Sequence, residues 1–190
     1  MSELFTQGEY MIRRKIMTLI GAKFHIYDNG GNLIGFSKQK GFKLKEDIRV
    51  YTDEDMSEEL FVIKARNIID FGGTYDVYNS KTRKAIGSWT RKGWSSMVRD
   101  SWTFQYGNIA GELVEDSLTC ALIRRFIAGS LLPQSYSLTI QGKEKVRFKQ
   151  NFNPFVYKLN VTIQPPFVED FSMLFLAGGI LLAAIEGKQN

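Results

Sequence analysis

Five short segments of the chain share one pattern: a large apolar residue, then a polar residue, then a second apolar residue. In most of them the fourth residue is a tyrosine. These segments are Phe24–Tyr27, Ile48–Tyr51, Tyr75–Tyr78, Trp102–Gln105 and Tyr136–Thr139. Alternation with a period of two places the apolar side chains on one face of an extended strand. A polar turn and a second strand-like run follow each segment, so the sequence predicts a series of β-hairpins.

The first hairpin has the clearest turn. Phe24 and Ile26 alternate with polar neighbours, and residues 28–32 (Asp-Asn-Gly-Gly-Asn) tolerate the positive φ angles of tight turns. Strands predicted at 10–19 and 155–163 bring the number to about twelve. So many short antiparallel strands must either form a sandwich or close into a barrel, which removes the unpaired edges.

The C-terminal segment has a different character. Residues 171–185 read FSMLFLAGGILLAAI, which is apolar on every side of a helix. Pro165 and Pro166 end the last strand, and the acidic residues at 169 and 170 suit the first turn of a helix. We therefore predict a helix over about 169–186.

Such a helix must be buried in protein or in lipid. At about 1.5 Å per residue, its apolar part spans roughly 22 Å, which is less than the roughly 30 Å hydrocarbon core of a bilayer. Small residues such as Gly178 and Gly179 allow the surrounding backbone to approach closely. We expect the helix to fill a closed barrel, which favours the barrel over the sandwich; a membrane span is the alternative.

The bulk composition indicates one domain over residues 1–190. The chain is 44% hydrophobic, and no low-complexity or Pro/Ser-rich linker divides it. Cys120 is the only cysteine and the N-terminus does not resemble a secretion signal, so we predict a cytoplasmic protein. The formal charge of +5 favours an anionic surface but is too small to indicate nucleic acid, which we do not expect as a partner.

One further segment departs from the strand pattern. Asp116 and Ser117 suit the N-cap of a helix, and Gly129 suits its end. We predict that this helix covers one end of the barrel or crosses between strands.

Several segments, taken in order, resemble the superfamily that joins the LURP-one-related proteins, the phospholipid scramblases and the tubby C-terminal domain. They are Tyr10–Lys15, Phe24–Lys40, Gly73–Tyr78, Asn153–Lys158 and Leu174–Glu186. The resemblance covers about residues 10–188 and implies a twelve-stranded barrel threaded by a hydrophobic C-terminal helix. It also implies a link to lipids, because tubby domains bind phosphoinositide head groups and scramblases are associated with lipid movement. A fold alone assigns no activity.

The sequence offers little for catalysis. His25 is the only histidine and Cys120 the only thiol, so a Ser–His or Cys–His nucleophile would have to use these two residues. His25 is out of phase with Phe24 and Ile26, so we expect it to face solvent. Cys120 lies among apolar residues and is interpreted as a small buried hydrophobe. We predict no catalytic residues, no cofactor and no enzyme activity.

An acidic segment, Asp53–Asp55 followed by Glu58 and Glu59, offers oxygen ligands for a hard cation. It lacks the spacing and the central glycine of a calcium-binding helix–loop–helix. We interpret it as a solvated hairpin tip and predict no metal site.

Cationic residues are the remaining candidates for function. In the segment 143–149 every odd position is Lys or Arg, while Val146 and Phe148 have the opposite phase. Two further groups occupy the first and third hairpins. The predicted anion-binding residues are Lys38, Lys40, Lys43, Lys45, Arg91, Lys92, Lys143, Lys145, Arg147 and Lys149. Charges on adjacent strands could bind phosphates as one patch; the ordinary outer face of a soluble barrel is the alternative interpretation.

These observations predict a non-enzymatic binding module that contacts anionic phospholipid, or phosphoinositide head groups, at a membrane surface. The alternatives are a protein-interaction or regulatory scaffold, in which the barrel presents its loops to a protein partner, and a scramblase-like membrane-associated protein.

Overall fold

The alternating segments form strands whose apolar residues face a common interior. The computed structural model describes residues 5–17, 21–40, 47–69, 72–92, 101–116, 133–151, 156–166 and 168–186. These ranges contain twelve strands and one long helix. The strands are β1 (Glu9–Met17), β2 (Gly21–Asp28), β3 (Leu33–Lys40), β4 (Ile48–Tyr51), β5 (Glu59–Ile69), β6 (Gly72–Asn79), β7 (Lys84–Arg91), β8 (Ser101–Tyr106), β9 (Ile109–Glu115), β10 (Ser135–Ile140), β11 (Lys143–Asn151) and β12 (Tyr157–Ile163), and the helix is α1 (Glu169–Glu186).

Each strand pairs antiparallel with its neighbours in sequence, and the first strand pairs with the last. Tyr10 of β1 lies opposite Val161 of β12, and Ile12 lies opposite Leu159. The sheet is therefore a closed barrel, and closure leaves none of these twelve strands with an unpaired edge. The predicted barrel is confirmed, and the sandwich is excluded.

Helix α1 fills the barrel, as predicted. Its residues 172–185 are buried, and Leu174 and Leu181 have no exposed surface. The surrounding strands contribute equally buried residues, among them Trp89 and Phe148. Two glycines allow close packing: a Cβ at Gly178 would stand 2.6 Å from Cζ2 of Trp89, and one at Gly179 would stand 2.5 Å from Cδ1 of Ile12.

The start of α1 lies at the end of the barrel that carries the tight hairpin turns. Asn79, at the end of β6, donates a hydrogen bond of 3.1 Å from Nδ2 to Oδ1 of Asp170. The ring of Tyr106, at the end of β8, stacks on Phe171 with 4.2 Å between centroids. These contacts fix the direction in which the helix enters the barrel.

No helix within the described ranges is both long enough and apolar enough to cross a membrane. The further helix predicted after Asp116, at 117–129, lies outside the described residues, as does Cys120.

Candidate functional site

The three predicted cationic groups lie on strands that are not neighbours. Lys38 and Lys40 belong to β3, Arg91 ends β7, and the segment 143–149 belongs to β11. In the closed strand order each of these strands is four strands away from the next. The three groups are therefore not contiguous: the β7 group lies across the barrel from the β1–β12 closure, and the β3 and β11 groups flank that closure with three strands between them. Lys43, Lys45 and the side chain of Lys40 lie outside the described residues.

The β7 group differs from the prediction in its contacts. Arg91 is opposite Trp102 of β8 and has the same phase as the buried Trp89, so it belongs to the inner face. Its guanidinium carbon stands 5.9 Å from the centroid of the Trp102 ring. The next residue, Lys92, forms a salt bridge with Glu112 of β9. Both cations of the β7 group therefore already interact with side chains of the barrel.

A β-bulge changes the predicted alternation in β11. Leu138 of β10 is opposite Val146, whereas Thr139 is opposite Glu144, so Lys145 is the extra residue. The bulge places Glu144 on the face of Arg147 and moves Lys143 out of phase with it. Only the part of the pattern after the bulge is confirmed, with Val146 and Phe148 buried.

Glu144 and Arg147 then form a two-bond ion pair. Arg147 donates from Nε to Oε1 at 3.0 Å and from Nη2 to Oε2 at 2.6 Å. The hydrogen bonds from Arg147 lower the pKa of the Glu144 carboxyl, so the carboxylate stays ionised at neutral pH. The charge of Arg147 is thereby compensated. Lys149, on the face of Arg147, and Lys143, at the hairpin turn, remain as exposed cations of β11.

The strands on either side of the barrel closure bring other cations together. Across β1 and β2, Lys15 is directly opposite Lys23, and across β2 and β3, Lys23 is directly opposite Lys38. On the other side of β1, Arg13 is opposite Lys158 of β12. We call the following six residues the basic face: Arg13, Lys15, Lys23, Lys38, Lys149 and Lys158.

The basic face occupies five adjacent strands in the order β3, β2, β1, β12 and β11. Since neighbouring strands are about 4.8 Å apart, it extends over roughly 19 Å of the barrel surface. Lys15, Lys38, Lys149 and Lys158 form no ion pair within the described part of the chain, and Lys23 pairs with Glu54. The face therefore carries a net positive charge.

The environment of His25 contradicts our expectation that it faces solvent. It does lie on the outer face, opposite Arg13, but only 8% of its surface is exposed. Its ring packs 5.2 Å from the Phe36 ring and stacks on Tyr27, and Nε2 lies 3.1 Å from Oε1 of Glu54. Glu54 belongs to the loop between β4 and β5, which covers this part of the outer face.

Sequence reasoning missed Arg13, Lys15, Lys23 and Lys158. A signal was present in β1, where Arg13 and Lys15 have the opposite phase to Tyr10 and Ile12. The adjacent Arg14 obscures this alternation, because it is a cation on the inner face and is only 1% exposed. Burial lowers the pKa of the Arg14 guanidinium.

The described residues offer no comparable site for a metal ion. They contain no group of three or more His, Cys, Asp or Glu residues that could hold a metal ion. A shallow groove between β1, β12 and the first hairpin turn is lined by Glu9, Asp28, Asn29 and Asn160 among others, with no cationic side chain. The basic face is thus the feature best suited to bind a ligand, and that ligand would be anionic.

A protein-family model described as LURP-one-related matches residues 9–177 of the chain. No curated protein and no solved structure matches it. The matched region begins at the first residue of β1, includes every strand of the barrel and extends into the buried part of α1. The chain is therefore a member of the LURP-one-related family.

Proposed function

We propose that the protein is a non-enzymatic cytoplasmic module that binds anionic phospholipid, including phosphoinositide head groups, at a membrane surface through its basic face. The observation that carries this proposal is the row of Lys15, Lys23 and Lys38, which lie directly opposite one another on three adjacent strands. Directly opposed like charges destabilise a sheet. The row of opposed lysines weakens the fold and has few carboxylates beside it. An anion from outside the protein would relieve this repulsion, so the row is suited to bind one.

The charges are sufficient for reversible attachment. A lysine or arginine near an anionic membrane contributes on the order of 1 kcal/mol, so six of them contribute several kcal/mol. The interaction weakens with salt, because the Debye length is about 8 Å at physiological ionic strength. The barrel keeps its apolar helix inside, so in this proposal the protein binds peripherally and the helix stays out of the bilayer.

Sedimentation with vesicles tests the proposal. We expect the protein to bind phosphatidylcholine vesicles that contain phosphatidylserine and to bind pure phosphatidylcholine poorly. A triple variant, Lys15→Glu, Lys38→Glu and Lys158→Glu, should lose more than about a hundredfold in affinity, since removal of three favourable charges of about 1 kcal/mol each already accounts for that factor and the new carboxylates add repulsion.

A second triple variant provides the matched control. Lys81, Arg83 and Lys84 are exposed on the β6–β7 hairpin, away from the basic face, and their change to Glu alters the net charge equally. We expect this control to keep most of its affinity. Equal losses in both variants would indicate non-specific attraction by net charge, and equal binding of neutral and anionic vesicles would contradict the proposal.

A regulatory scaffold that binds an acidic protein segment is the competing function, because the same lysines suit carboxylates. A stoichiometric protein complex that needs the basic face and persists in salt that abolishes vesicle binding would favour the scaffold.

A further inference from the structure

One internal carboxylate rests on the basic face. Glu54 lies in the loop between β4 and β5, and its two oxygens contact two residues of β2. Oε2 is 3.3 Å from Nζ of Lys23, and Oε1 is 3.1 Å from Nε2 of His25. Lys23 and His25 are two positions apart on one strand, so their side chains project from the same face.

Lys23 and His25 both pack against Phe36, independently of Glu54. Nζ of Lys23 stands 5.6 Å above the centroid of the Phe36 ring, and the His25 ring packs 5.2 Å from the same ring. Phe36 is itself only 1% exposed and is fixed in β3. The ammonium and the imidazole would therefore keep their positions if the carboxylate left.

Glu54 is the most exposed of the three side chains. Its side chain is 53% exposed, against 25% for Lys23 and 10% for His25. Exposed ion pairs of this kind contribute little to stability, so exchanging the carboxylate for another oxyanion is inexpensive. The hydrogen bond with His25, followed by that with Lys23, lowers the pKa of the Glu54 carboxyl, so it is present as the anion at neutral pH.

A carboxylate that uses both oxygens to bridge an ammonium and an imidazole occupies the position of two phosphate oxygens. Lys23 also lies between Lys15 and Lys38 in the row of opposed lysines, and Arg13 is opposite His25. The two residues that contact Glu54 thus lie within a cationic surface.

We propose that Lys23 and His25 form a phosphate subsite within the basic face, and that Glu54 occupies it as an internal competitor in the free protein. The inference rests on the proposed function for the source of the phosphate, which is a lipid head group. A phosphate binds by displacing the carboxylate, and the β4–β5 loop then moves away from the outer face of β2. The loop thus limits binding to strongly anionic surfaces, because a weakly charged surface cannot displace the Glu54 carboxylate.

The Glu54→Gln variant tests this mechanism with vesicles of phosphatidylcholine and phosphatidylinositol 4-phosphate. Removing the competing charge should strengthen binding about fivefold, the equivalent of about 1 kcal/mol for one charge near the membrane. Adding Lys23→Gln to this variant should cancel the gain. Glu112→Gln is the matched control, because it removes an equal charge and breaks a salt bridge with Lys92, which is not part of the basic face; we expect a change of less than about twofold.

His25 supplies a second readout, since it is the only histidine of the chain and its imidazole gives a single set of NMR signals. In the Glu54→Gln variant, inorganic phosphate should shift these signals at lower concentration than in the wild type. Phosphate-dependent shifts without preference for anionic vesicles would support the subsite and reject the lipid as its source. Vesicle binding by the wild type with equal affinities for Glu54→Gln and Glu112→Gln would overturn the subsite and leave the proposed function standing.

Discussion

The indole Nε1 of Trp89, on β7, donates a hydrogen bond of 2.8 Å to the carbonyl oxygen of Leu174 in α1. The six-membered part of the same ring lies against Gly178, one helical turn further along, where a Cβ would stand 2.6 Å from Cζ2. A single tryptophan of the wall therefore fixes both the depth and the rotation of the helix inside the barrel.

The Trp89→Phe variant should lower the free energy of unfolding by about 2–3 kcal/mol, because it removes the hydrogen bond and leaves a cavity. Gly178→Ala should also destabilise, since the steric conflict with Trp89 exceeds the gain of about 1 kcal/mol in helix propensity. In the double variant the smaller ring makes room for the methyl group. Urea unfolding should then show a loss smaller than the sum of the single losses.

Gly179→Ala is the control for this comparison of single and double variants. Its Cβ would meet Ile12 and Phe148 and not Trp89. Its effect should add to that of Trp89→Phe without coupling, and equal coupling at both glycines would contradict the contact assigned to Trp89.

A charge placed on the buried helix should prevent folding. Leu181 has no exposed surface, so in Leu181→Asp an unpaired carboxylate would cost several kcal/mol, comparable with the whole stability of a domain. Near-ultraviolet circular dichroism should lose its native signal. Val168→Asp is the control, because Val168 is 44% exposed just before α1; native spectra for both variants would contradict the interior position of the helix.

The row of opposed lysines predicts a conflict between stability and binding. Lys15→Glu replaces a like-charge pair with an opposite-charge pair across β1 and β2, and should raise the free energy of unfolding by about 0.5 kcal/mol. The gain should shrink at about 1 M salt, where the Debye length is about 3 Å. The same variant should bind anionic vesicles more weakly. Lys81→Glu, in the β6–β7 turn, should change neither property; a loss of stability in Lys15→Glu would refute the repulsion.

Ionisation of Tyr75 should contribute to the loss of stability at alkaline pH. Burial raises the pKa of its hydroxyl, and only 3% of the residue is exposed. A raised pKa in the folded state means that the stabilisation is complete below the unfolded pKa of about 10 and is lost as the pH rises through the folded pKa. In Tyr75→Phe, urea unfolding at a series of alkaline pH values should show a shallower decline above about pH 10. Identical profiles for wild type and Tyr75→Phe would contradict the assignment.

The sequence is sufficient for those features that depend on local pattern. Alternation identifies the inward faces of the strands, and an apolar segment too short for a bilayer identifies the buried helix. The basic face depends instead on register between distant segments: Arg13 and Lys158 meet only because β1 and β12 close the barrel. Lys15, Lys23 and Lys38 likewise align only once two hairpin registers are known.

Two errors have local causes that alternation cannot detect. The bulge at Lys145 shifts the phase of β11 by one residue and places Glu144 beside Arg147. His25 has the outward phase that the pattern assigns, but a loop from a different hairpin covers it through Glu54. A period of two specifies the face of a sheet on which a residue lies and contains no information on what lies over that face.

The pairing of β1 with β12 also has a consequence during synthesis. The ribosome releases β1 long before it releases β12 and α1, so the nascent sheet can neither close nor fill its apolar concavity until both of those elements have been released. Throughout that interval the inner surface is open to aggregation, and chaperones that recognise apolar strands have time to bind it. Late release of the helix thus makes the rate of elongation a determinant of yield.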